Sequence, residues 1–216
     1  MRLWTWLLGL WQSIRKKRPA EPSARIPDTT DTRFAVHEAG HLICAWYYWH
    51  TSDIHRVSIG EEEKNGSRTG RMTFYTEAEG DDPEKIAGRM VISLGGIAAE
   101  TLLFGNFRSG TVERDLLNAR DMANKLSAWP LDEVEMESKI DFGKMFSGGL
   151  SGEEEARFMQ AYRFARRMLA SRFVEHAKVT SALLTHRTLT QEVLEKLLGS
   201  RAQMRVLRFL VKRVFS

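Results

Sequence analysis

Residues 31–49, DTRFAVHEAGHLICAWYYW, decide how this chain is read. Phe34, Leu42, Ala45, Trp46 and Trp49 recur at helical spacing, and Asp31 or Thr32 can supply the N-cap. The stretch therefore predicts a helix with an apolar side turned to a core. On that helix His37, Glu38 and His41 form the pattern HExxH. Imidazoles four residues apart stand one turn above each other on one face, so both reach a single metal ion, and zinc suits such a pair. Zinc lowers the pKa of a bound water to about 7. Glu38, beside the first ligand, can take that water's proton and pass it to a leaving amine. Its presence predicts a catalytic site with one Zn²⁺ per chain rather than a structural one. Catalytic zinc takes a third protein ligand, for which both Glu100 and Asp115 are candidates; spacing does not choose between them. His50 and His55 lie past the predicted helix end and read as ordinary polar residues.

Outward from this helix, residues 55–59 and 71–76 read as two short strands around a charged, glycine-containing loop. Asp82-Pro83 opens a strong helix to about residue 104, and a third helix covers about 112–128, ending before Pro130. Asp115 then falls in the first turn of that third helix. Residues 129–152 look irregular. Ser151 and Glu154 have capping-box spacing for a long helix to about residue 173 or beyond. Thr190 can cap a last helix to Leu198, before Gly199. The fold class expected is mainly α with a small β-sheet.

The 216 residues suffice for one sizeable domain with tails. A hydrophobic share of 43% and a charged share of 28% fit a soluble globular protein. The net charge of +4 is too small to argue for nucleic acid, and none is expected as a partner. Cys44 is the single cysteine, which excludes an intrachain disulfide or a cysteine zinc cluster and favours a reducing compartment. Residues 3–11, LWTWLLGLW, are far shorter than the roughly 20 residues that span a bilayer. The basic run Arg15-Lys16-Lys17-Arg18 follows them, the reverse of a signal peptide. Residues 1–18 suit an anchor on an anionic membrane face; the alternative is a greasy terminus docked on the domain or a partner. Residues 19–30 read as a linker, 31–200 as the folded domain, and 201–216 as a basic amphipathic tail that lies on an anionic membrane, binds a partner or packs on the domain.

The ordered residues resemble the peptidase domain of the FtsH-type ATP-dependent zinc proteases. The matching stretches are residues 35–41 (AVHEAGH), 55–59 (HRVSI), 94–100 (LGGIAAE) and 103–105 (LFG). Ser109-Gly110, Asp115-Leu116, Ala119 and Ala123 follow, and Leu183-Leu184 and Thr188-Leu189 match more weakly. Together they span roughly residues 33–198. HExxH alone is shared by many peptidases; this ordered set is far more specific. The resemblance implies a helical metallopeptidase domain built on the HExxH helix, with Asp115 as third ligand. It puts Glu100 behind the ligands, orienting one of them. It also implies that residues 71–76, with Met72, Thr73 and Phe74, pair with extended substrate by strand addition. Two stretches depart from the family pattern. One more residue than usual separates Gly110 from Asp115, so the loop leading into that helix is expected to differ. Residues 60–70 are also unlike the family's sequence.

FtsH-type proteases carry an ATPase module, yet this chain contains no GxxxxGK[ST] phosphate loop. Peptide hydrolysis itself needs no ATP. The expectation is a zinc endopeptidase acting without ATP on peptides and on unfolded or flexible protein segments, or relying on an unfoldase in trans. It is expected to be cytoplasmic, held at the cytoplasmic face of a membrane by its terminal segments. The family's hexameric rings imply self-association. The competing reading is a catalytically silent zinc-binding module with a regulatory or assembly role. Retention of His37, Glu38, His41 and Asp115 together argues against it.

Overall fold

The computed structural model describes residues 27–47, 54–62, 68–74, 83–126, 142–146 and 149–200. The N-terminal segment 1–18, most of the linker and the tail 201–216 lie outside them, as does most of the irregular stretch 129–152. Among the described residues there are six α-helices and one three-stranded antiparallel sheet, which fits the mainly α class with a small β-sheet.

The HExxH helix, α1 (Thr30–Tyr47), starts two or three residues earlier than the candidate caps suggest. Thr29 is the cap: its Oγ1 accepts the backbone N–H of Thr32 at 3.2 Å. Asp31 instead holds Arg187 at 2.6 Å and so ties α1 to the far end of the chain. Every residue from Thr32 to Tyr47 is buried, so α1 is a central helix without a solvated side. Against it packs α2 (Pro83–Phe104). Their crossing is a backbone-to-backbone contact. A Cβ at Gly40 would strike the Gly95 carbonyl oxygen and come within 2.7 Å of Ala99 Cβ. One at Gly95 would stand 2.8 Å from the Gly40 carbonyl oxygen. Two glycines where the helices touch let their axes approach closely enough to share a site. By length and composition α2 could cross a membrane, but 72% of its apolar window is buried inside the protein, against α1, α3 and α4.

α3 (Ser109–Lys125) buries Val112, Leu116, Ala119 and Ala123, a stripe repeating every three to four residues. It begins three residues before the expected position 112, behind Arg108 as N-cap. Residues 109–115 are therefore one continuous helix, and the extra residue between Gly110 and Asp115 lies within a helical turn rather than in a loop. After a 3-10 turn (Gly143–Met145), α4 (Gly152–Ser171) starts with the predicted capping box. Ser151 Oγ accepts the Glu154 N–H at 3.1 Å, and Glu154 Oε2 accepts the Ser151 N–H at 2.7 Å. The long helix expected from Ser151 to about residue 173 or beyond ends at the nearer bound, at Arg172, whose φ of −120° and ψ of 31° leave the helical region. A separate helix, α5 (Phe173–His186), then turns back onto α1.

The sheet has the order β2-β1-β3. Strands β1 (Ile54–Glu62) and β2 (Arg68–Phe74) pair antiparallel with Val57 opposite Met72 and Ile59 opposite Gly70. The third strand, β3 (Thr188–Thr190), pairs Leu189 with Val57 and was not expected. Arg187, at φ 62°, makes the turn into it. The last helix, α6 (Gln191–Leu198), follows directly; Thr190 holds the N-cap position without a side-chain cap bond.

Candidate metal centre

One turn apart on α1, His37 and His41 stand edge to face, their ring centroids 4.6 Å apart. What orients each ring is its Nδ1. His41 Nδ1 donates to the backbone carbonyl of Ile92 on α2 at 2.7 Å. A carbonyl only accepts, so His41 donates from Nδ1, and Nε2 is the nitrogen left to face a metal. His37 Nδ1 donates in the same way to Glu100 Oε1 at 2.8 Å, again from α2. Both Nε2 atoms then face Asp115 on α3. Asp115 Oδ2 lies 2.9 Å from His37 Nε2 and 3.2 Å from His41 Nε2, and the two nitrogens are 2.9 Å apart. Tetrahedral zinc, with bonds of about 2.0–2.1 Å, separates its ligand atoms by about 3.3–3.4 Å. The triangle is a slightly contracted face of such a site, and two imidazoles with a carboxylate are a donor set that zinc takes.

Of the two candidates left open by spacing, Asp115 meets the inner nitrogens, while Glu100 meets the outer nitrogen of His37. Because α3 starts at Ser109, Asp115 sits in its second turn and not its first. Glu38 is 6% exposed, and its carboxylate lies within 4.8 Å of the ring nitrogens of both histidines. Gly70 of β2 lies directly over it: a Cβ there would stand 2.5 Å from Glu38 Cγ. Gly96 plays the same part for His37, since a Cβ there would come within 2.5–2.6 Å of the imidazole atoms. Met72 is two residues along β2 from Gly70 and half-buried, and Thr73 and Phe74 complete the strand. β2 is an outer strand of the sheet among the described residues.

Burial opposes a proton on His37, but hydrogen bonds to Asp115 and Glu100 and nearby carboxylate charge outweigh it and push its pKa up to about 10. For His41 burial again opposes protonation, and the Asp115 charge prevails over the repulsion of His37, for a net rise. Burial would raise the Asp115 pKa, yet the two imidazoles hold it well below the usual carboxylate range. Surroundings that favour a proton on these rings also favour a divalent cation among them, and such a cation displaces the proton.

Sequence reasoning singled out every side chain of the triangle, and resemblance put Glu100 behind it, but Arg33 and the Ile92 carbonyl were missed. Arg33, one turn before His37, was visible as a lone cation on an apolar helix. The Ile92 carbonyl leaves no signal in a sequence, and the cover provided by Gly70 depends on the placement of β2.

Residues 25–131 match the family model of Peptidase family M41. Over that stretch the chain is similar to family M41. Across most of the chain there is similarity to part of larger proteases. The ATP-dependent zinc metalloprotease YME1L1 of Mus musculus is 27% identical over 200 residues, covering 87% of this chain and 27% of that protein. ATP-dependent zinc metalloprotease FtsH 3 of Symbiobacterium thermophilum is 30% identical over 208 residues, 85% of this chain and 32% of the relative. FtsH 2 of Sphaerobacter thermophilus is 25% identical over 214 residues, 88% and 30% respectively. The chain thus spans under a third of the length of these curated relatives. The matched M41 stretch contains α1, the β1–β2 pair, α2 and α3, and so every residue of the triangle together with Glu38 and Glu100.

Proposed function

We propose that this chain is a zinc-dependent endopeptidase in which His37, His41 and Asp115 hold the metal and Glu38 is the catalytic base. The observation that carries the reading is the convergence of His37 Nε2, His41 Nε2 and Asp115 Oδ2 to within 2.9–3.2 Å, each ring pre-oriented from behind. Zinc bound there supplies Lewis-acid activation of water and of a peptide carbonyl. Glu38 accepts the proton that the water gives up and delivers it to the departing amide nitrogen. Gly70 keeps the space over that carboxylate narrow, and Glu100 holds His37 in register. An extended substrate adds along β2 beside Met72, Thr73 and Phe74, with main-chain hydrogen bonds supplying affinity. Strand addition requires a segment free of its own fold. Flexible or unfolded protein is therefore the substrate class, cleaved without ATP, and folded proteins need an unfoldase acting in trans. The terminal segments 1–18 and 201–216 support placement at the cytoplasmic face of a membrane, and family likeness supports self-association.

Zinc content and casein hydrolysis of the wild type beside Glu38→Gln test this. The expected result is about one zinc per chain in both and a fall in hydrolysis of about 10²–10⁴-fold in the variant. Zinc in both with no cleavage by either would overturn the enzymatic reading in favour of a silent zinc module. No zinc in either would overturn the site. Asp115→Ala is expected to empty the site where Glu100→Ala only weakens it; the opposite order would exchange their roles.

A further inference from the structure

Arg33 lies one turn ahead of His37 on α1 and is only 3% exposed. A guanidinium so placed must find partners for all five N–H donors, and this one does. Nε and Nη2 grip Asp28 at 2.6 and 2.8 Å. Nη2 also donates to Asn106 Oδ1 at 2.8 Å, and Nη1 to the Asn106 carbonyl at 3.4 Å. The remaining Nη1 donor meets Glu100 Oε2 at 3.1 Å. The Phe104 ring lies against the guanidinium, 4.4 Å from Cζ. Four of the five contacts are anchors to the segment before α1 and to the turn after α2; the fifth reaches the carboxylate behind His37.

The consequence is a division of labour within Glu100, which is itself 0% exposed. Oε2 accepts from Arg33 and from the Arg108 backbone N–H at 3.3 Å, while Oε1 accepts from His37 Nδ1. A carboxylate held by one oxygen presents the other in a fixed direction. We propose that Arg33 is a positioning residue of the metal centre, acting through Glu100 to fix the His37 imidazole with its Nε2 turned to the cation. The inference rests on the reading of His37 as a zinc ligand. The planar fork is essential to it, because no ammonium can span Asp28, Asn106 and Glu100 together.

The test is zinc affinity of the full chain by competition with a chromophoric chelator, alongside thermal melts in excess chelator. The variants are Arg33→Gln, Arg33→Lys, Glu100→Gln and the double Arg33→Gln/Glu100→Gln. Arg33→Gln is expected to weaken zinc binding about tenfold, the lower end of what outer partners of metal-bound histidines contribute. Arg33→Lys should recover only part of that loss. The double variant should bind no more weakly than Glu100→Gln alone, because Arg33 acts through Glu100. Wild-type affinity in Arg33→Gln with a lowered melting temperature would overturn the proposal and leave a purely structural role; so would additive losses in the double variant. Should Arg33→Gln fail to fold, Asn106→Ala removes one anchor of the guanidinium and is expected to weaken zinc severalfold. Unchanged affinity there overturns the proposal as well. A wild type that binds no zinc defeats the metal centre itself, an outcome separate from wild-type binding with insensitive variants.

Discussion

At the scale of single residues, the centre depends as much on missing side chains as on those present. Gly96 leaves room for the His37 ring and Gly70 for the Glu38 carboxylate, so substitutions at the two positions should separate metal binding from chemistry. Gly96→Ala displaces the imidazole and is expected to lower zinc affinity, read by chelator competition. Gly70→Ala should leave zinc content unchanged while casein hydrolysis falls on the order of a hundredfold, the effect of misplacing a reacting group by about 1 Å. The HExxH residues were legible because their relation is local: four residues on any helix bring two imidazoles to one face. Asp115 is 78 residues from His37, and no local rule joins them. Resemblance singled it out where spacing alone left Glu100 equally open.

At the scale of elements, the α1–α2 crossing decides whether a site exists. Ala is the better helix former by about 0.5–1 kcal/mol, but a Cβ at Gly40 meets a backbone carbonyl that cannot rotate away. Overpacking should win, and Gly40→Ala is expected to destabilise the fold by about 1–3 kcal/mol, read by urea denaturation with zinc removed. Elements with strong local signals were legible: the capping box of α4 and the apolar stripe of α3 need nothing beyond neighbouring residues. The separate helix α5 and the strand β3 were not. β3 has three residues with only Leu189 buried, and it is a strand because β1 offers it a partner. The cap of α1 is Thr29, and Asp31, an expected cap, is instead paired with Arg187, 156 residues away.

At the scale of the whole molecule, α5 closes the fold behind the centre: buried His176 donates from Nε2 to the Val36 carbonyl on α1 at 3.0 Å. Burial pulls its pKa from 6.5 down to about 4, against the smaller pull of that hydrogen bond. The unfolded chain takes up this proton as pH falls through 6.5, whereas the folded chain resists until about 4. The unfolded state therefore binds more protons in that window, and stability falls as pH drops across it, by an order of 3 kcal/mol at most. His176→Gln should show a shallower loss than the wild type between pH 6.5 and 4, measured by urea titration at each pH. Equal slopes would mean that His176 does not titrate differently on folding. The sequence by itself determined the helix that carries HExxH, the chemistry its residue types allow, the mainly helical class and the likeness to the FtsH-type peptidases. Each of these follows from residues near one another in the chain or from their order along it. Only the tertiary structure decided which nitrogen of each imidazole faces Asp115, that the Ile92 carbonyl holds His41, and what holds Glu100. Those depend on α2 and α3 approaching α1 to within hydrogen-bonding distance, and that approach is set by packing across the whole domain.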